Sequence, residues 1–408
     1  MNTEQKSSSG DLELLELLEQ TSLSDEVSSV KKGRFEKLKF NLSKSSHAYG
    51  EFMRKAPMLG YSLRRIIYAF ITLYIAMAVV YVMLRIVTTD AAFISDINLE
   101  KAHIIYGDER YLKLISDRTR MFGVSGSMTS QVLRYLSNIT PLWPKKVVIN
   151  PGIDPDTAQL TGETVTKWFY LGVFMNGSSG GTQLSLVQDA FKRSIPVSFK
   201  VGGISVLLSY LIGVPLGILS AKNKEKSVDS AINGTSLIIS AIPALVLISL
   251  LYKLSIYVFG SGGTYSDLTV VQKVWPILGV MLLVMPMVIV NTRRYVVDEM
   301  TSDYTKFALS KGLSTQYVFY VHIFRNAGIR LVKTLPEIFV LTLFGSSILV
   351  EQHWSIDGMS KFILKGVANK DTFVVLGYIF VSASAGVFSS LVGDLLLATL
   401  DPRIKLTK

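Results

Sequence analysis

Six long apolar stretches, set apart by polar and charged ones, organise this chain. They run from about Ile66 to Val87, Val201 to Ser220, Ala231 to Phe259, Trp275 to Val290, Thr334 to Val350 and Val374 to Ala398. A hydrocarbon core about 30 Å thick takes roughly 20 helical residues, so the pattern predicts six transmembrane helices and an all-α membrane protein. Pro243 falls inside the third stretch and Pro286 inside the fourth. Membrane helices tolerate proline where neighbours satisfy the freed backbone groups. Gly202, Gly203, Gly213 and Gly217 along the second stretch would let helices approach closely.

The polar stretches divide the chain further. Residues 1–62 read as a cytoplasmic N-terminal extension, with leucines from Leu12 to Leu18 among Glu13, Glu16 and Glu19, then a basic run that suits anionic headgroups. Residues 63–88 hold the first transmembrane helix, long enough to anchor the chain, with Arg85 near its outer end. Residues 89–197 form a long extracytoplasmic insert, punctuated by prolines, with room for helices and short strands. Residues 198–408 form a five-helix core with a polar, basic loop, residues 292–333, between its third and fourth helices.

Composition agrees with a membrane setting: 49% of residues are hydrophobic and 18% charged, below the quarter usual for soluble domains. The formal charge of +11 lies in groups that flank apolar stretches, so positive-inside sorting explains it and nucleic acid is not an expected partner. Lys222, Lys224 and Lys226, the cations of the 292–333 loop, and Arg403, Lys405 and Lys408 then share one side with the N-terminus. Both termini are therefore expected in the cytoplasm. There is no cysteine and there are four histidines, which removes disulfides, thiolate metal sites and cysteine nucleophiles.

The loop carries the chemistry. Asp298, Glu299 and Asp303 precede a helix-like run, where acids suit the positive end of a helix dipole. Ala308 is small and Gly312 has no side chain, so a partner surface could come close. Lys306 and Lys311 could pair with acids across an interface, and Leu313 opens a second amphipathic stretch. His322 reads as an interface hydrogen-bonder rather than a proton switch. Asp394, near the inner end of the last helix, is expected to pair with a neighbouring cation. Glu351, at an outer helix end, is expected at the interface or lining an external gate.

The run Asp303-Tyr304-Thr305-Lys306-Phe307-Ala308-Leu309-Ser310-Lys311-Gly312-Leu313 resembles D-Y-x-[RK]-x-A-x-x-K-G-L, the coupling loop or EAA motif of ABC importer permeases in the dipeptide/oligopeptide/nickel group. His322, Arg325, Asn326 and Ala327 match the group's H-x-x-R-N-A. Asp394 with Leu400-Asp401-Pro402-Arg403-Ile404 is similar to its D…L-D-P-R-[IV] ending. Arg330 stands where the group usually has proline, and Asp357-Gly358 where it has P-G.

The resemblance, to the B-type subunit of oligopeptide permeases in particular, implies a type I ABC importer permease fold in the cell membrane of a bacterium. It also implies a second homologous permease subunit, two ATPase subunits docked at the loop, and an extracytoplasmic substrate-binding lipoprotein, all in membrane lipid. ATP and Mg belong to the ATPase partners, since no G-x-x-x-x-G-K-[ST] loop occurs in this chain, and no cofactor or catalytic residue is expected on it. Nickel or another small solute is an alternative cargo. A self-contained secondary transporter is an alternative class, although the middle of the spans is nearly free of the charges such proteins use.

Overall fold

A computed structural model describes residues 57–95, 97–153 and 160–400. The leucine pattern and basic run of the N-terminal extension lie outside the described residues, as do Asp401, Pro402 and Arg403. The described residues from 65 to 400 belong to one compact unit.

The first span is α1 (Pro57–Val87). The insert that follows folds into α2 (Glu109–Met121), α3 (Met128–Ile139) and an antiparallel hairpin of β1 (Lys145–Ile153) and β2 (Leu160–Lys167). Its local signals are ordinary. Asp108 caps α2, Glu109 opens it and Arg118 and Arg120 close it, which suits the helix dipole. Ser127 caps α3 by accepting the Ser130 N–H. The register of the hairpin slips between Ile149 and Gly152, a bulge. The insert shares one apolar core with the bundle: Phe122, Tyr135 and Val147 pack in a cluster with Met77 and Tyr81 of α1 and with Phe373 and Val374 from the last span.

The core begins with α4 (Val187–Lys222), which starts well inside the range read as insert. Next come α5 (Ser227–Ala241) and α6 (Ala244–Tyr257), then α7 (Val274–Met300). The short α8 (Asp303–Ser310) leads into α9, a helical rod from Thr315 to His353, and α10 (Ser360–Ala368) and α11 (Thr372–Leu400) finish the fold. Gly217 sets the approach of α4 to α7: a Cβ there would sit 2.7 Å from the Ile289 carbonyl oxygen and 2.6 Å from Thr292. Large apolar side chains on the outer faces, among them Ile75, Leu207 and Leu250, are exposed, as lipid-facing helices require.

The third apolar stretch is not one helix. Its halves, α5 and α6, meet at 97°. Among the described residues, five helices are thus long and apolar enough to span, or six when the bent pair counts as one. The cause is local. Pro243 offers no N–H to continue α5, and its ring drives the preceding residue from the helical region. Ile242 sits at φ −72° and ψ 127°, extended backbone.

Glu351 also departs from expectation. It is only 1% exposed. Its carboxylate accepts the Ser198 hydroxyl at 2.6 Å and the Ser360 N–H at 2.9 Å, while Ser198 Oγ accepts the Met359 N–H at 2.8 Å. A carboxylate buried this deeply must have donors, and this network supplies them from α4 and α10.

Candidate functional site

The loop joining α7 to α9 is rooted in Glu299, a buried residue at the end of α7. Its carboxylate accepts the Tyr304 hydroxyl at 2.6 Å and pairs with Arg330 at 2.8 Å. Its carbonyl accepts the hydroxyls of Ser302 at 2.6 Å and Thr305 at 2.8 Å. Arg330 also reaches Asp298 at 3.5 Å. Sequence reasoning assigned Glu299 to the helix dipole and did not see this hub. The cation at position 330, where a proline is usual, was the available signal.

From that root α8 runs out to a turn. Gly312 has φ +80°, the left-handed region where a Cβ is strained, and stands in open space. Ser314 then caps α9 by accepting the Tyr317 N–H at 3.3 Å. The first turns of α9 include a π segment, Val318–Ile323. Its buried Val318, Phe319 and Ile323 pack with Ala221, Val296 and Ala327. Lys222, at the end of α4, sits 4.0 Å from the centre of the Phe319 ring and 4.9 Å from that of Tyr320.

The structure gathers seven of the sequence-predicted residues around one cleft of about 510 Å³: Tyr304, Ala308, Lys311, Leu313, His322, Arg325 and Asn326. Ala308 is buried in the same cluster as Phe319, so its small size serves packing within the chain rather than only the approach of a partner. Lys311 and Arg325 are exposed, and among the described residues no carboxylate lines the cleft. Phe307 and Leu313 are exposed at its rim. The cleft therefore suits an acidic element with an apolar tip.

Asp303, Lys306 and Gly312 do not line the cleft. Asp303 and Lys306 pair with each other at 3.1 Å on the exposed face of α8, where water screens the contact and leaves it little weight. Asp394 lies elsewhere, on α11, and pairs with Arg65 of α1 and, at 3.6 Å, with Lys333 of α9. It ties the first, fifth and last spans together near the end that carries the loop. A second brace joins α5 and α7, where the Arg293 guanidinium donates twice to Asp229 at 2.6 Å. Ser220 of α4 donates to the same carboxylate at 2.5 Å.

Residues 213–406 match the family described as binding-protein-dependent transport system inner membrane component. The chain is 31% identical over 224 residues to the oligopeptide transport system permease protein AmiC of Streptococcus pneumoniae, covering 53% of this chain and 44% of that protein. The chain thus spans less than half the length of that relative. It is 30% identical over 228 residues to the dipeptide transport system permease protein DppB of Bacillus subtilis, covering 54% and 72%. It is 29% identical over 308 residues to the peptidoglycan transport system permease protein YejB of Agrobacterium fabrum, covering 70% and 82%.

Proposed function

Because the chain belongs to the family of binding-protein-dependent transport system inner membrane components, we propose that it is the membrane-spanning permease subunit of an ATP-driven importer of oligopeptides. A second, related permease completes the pore. Two ATPase subunits, which carry ATP and Mg, dock at the loop, and an extracytoplasmic binding lipoprotein delivers cargo at the end that carries the insert. The chain crosses a bacterial cell membrane several times with both termini in the cytoplasm. Its relatives' names, which speak of oligopeptide, dipeptide and peptidoglycan transport, support the cargo class.

The observation that carries the reading is the cleft of Tyr304, Lys311, His322 and Arg325, rooted on Glu299. It is a cationic, apolar-rimmed socket joined to the spans. α9 runs as one helical rod of 39 residues, about 58 Å at 1.5 Å per residue, from the loop to the buried Glu351 network. A pull on the loop therefore reaches the opposite end of the bundle. ATP binding closes the ATPase pair, draws the two permeases' loops together and rocks the helices between inward and outward access. The chain itself makes and breaks no bonds.

Gly312→Glu strains the turn and adds an acid at its tip, and Arg325→Glu reverses a charge in the cleft. Both variants are expected to reach the membrane at normal levels while the ATPase subunits no longer co-purify and uptake is lost. Normal co-purification with both variants would refute the docking role, and nucleotide-independent uptake by the reconstituted chain alone would refute the importer itself.

A further inference from the structure

A second cavity, of about 370 Å³, lies within the insert. Its walls come from α2, α3 and β1, with Tyr81 of α1 and Phe373 of α11 also lining it. Three cations line it: Arg120 at the end of α2, Arg134 on α3 and Lys146 on β1. Among the described residues, no carboxylate does.

A solvated basic face ordinarily intersperses both signs of charge, and a cavity lined by one sign focuses field. Arg134 is held in place by donating to the Gly123 carbonyl at 2.9 Å. The carbonyl oxygen of the Gln131 side chain is already taken, by the Tyr81 hydroxyl at 3.3 Å and Arg85 Nε at 3.2 Å. Gln131 therefore offers the cavity no free side-chain acceptor. Tyr135 adds an independent observation: its side chain is 5% exposed, it lines the cavity, and its hydroxyl has no hydrogen-bond partner among the described residues. Buried polar groups without a partner are rare and call for one. Phe122, Leu171 and Phe373 complete the lining with apolar surface.

We propose that this cavity binds an oxyanion, a carboxylate or a phosphate, carried on a molecule that also has an apolar part. Guanidinium groups suit these anions because their forked donors match two oxygens at once. Two sources share this chemistry. An anionic lipid headgroup fits the position of the cavity beside the ends of α1 and α11, and the free C-terminus of a short peptide fits an importer of peptides. The site itself does not depend on the peptide reading.

The test uses the purified full chain in neutral detergent and two matched pairs of probes. One pair is dihexanoylphosphatidylglycerol against dihexanoylglycerol. The other is the tripeptide Ala-Leu-Phe against its C-terminal amide. In at least one pair the anion is expected to bind about tenfold tighter than its neutral partner, less so as salt rises. Arg120→Gln and Lys146→Gln should each remove most of that preference at unchanged melting temperature. Lys113→Gln, an exposed cation on α2 outside the cavity, should keep it. Preference in the lipid pair alone identifies a headgroup, in the peptide pair alone a peptide terminus, and in both a general oxyanion site. Absence of preference in both pairs overturns the proposal, as does a loss in Lys113→Gln equal to that in the cavity variants.

Discussion

Two residues outside the spans show how burial sets the demands on a side chain. Asp371, just before α11, is fully buried and accepts the backbone N–H groups of Met175 at 2.9 Å and Asn176 at 3.3 Å. Burial raises its carboxyl to about 6, and the amides offset only part of that. A carboxyl raised in the fold favours the folded state when protonated. This contribution is complete below about pH 4 and is lost as pH rises through about 6. Hydrogen-exchange protection at Met175 and Asn176, corrected for intrinsic rates, is expected to fall across that window, and Asp371→Asn to flatten the fall. Lys145 is the cationic counterpart. Its ammonium donates to the carbonyls of Thr140, Trp143 and Trp168, the last two at 3.0 and 2.9 Å, and so fastens the hairpin to the end of α3. Lys145→Ala leaves those carbonyls without their donor and is expected to destabilise the insert by about 2–4 kcal/mol, read as a lowered thermal midpoint.

At the scale of elements, the loop end of the bundle is held by ion pairs between helices, and the break at Pro243 gives them a purpose. A span bent by 97° cannot rely on continuous helix to position its two halves. Asp229 instead fixes the start of α5 to α7 through Arg293 and to α4 through Ser220. Asp394 does the same for α1, α9 and α11. Such pairs couple strongly when both partners are partly withdrawn from water. A double-mutant cycle of Asp229→Ala and Arg293→Ala is expected to give about 1–3 kcal/mol of coupling in a denaturant titration. Additive single effects would show that packing alone orients α5.

For the whole molecule, the loop and the insert belong at opposite ends. The absence of cysteine makes this accessible to labelling without background. Ser310 is exposed on the loop and Lys361 opens α10 beside the insert. Single cysteines at these positions are expected to react with a membrane-impermeant maleimide from opposite sides, Lys361→Cys from outside intact cells and Ser310→Cys only after permeabilisation. Labelling of both from one side would refute the topology derived from charge.

By itself, the sequence determined where helices cross and where the loop turns. A bilayer demands some 20 apolar residues per crossing, and a left-handed turn demands a residue such as Gly312; both requirements act within a few neighbours along the chain. Tyr304, His322 and Arg325 were singled out by their resemblance to a family motif, and the fold brings them to one cleft. Tertiary structure alone decided the hub at Glu299 and the burial of Glu351. Pro243 was visible inside the third stretch, but the 97° angle between the two halves was not. Glu351 meets Ser198 across 153 positions of chain, and no local period encodes a partner that far away. The insert cavity is of the same kind: its cations come from two helices and a strand, and only the fold brings them to one place.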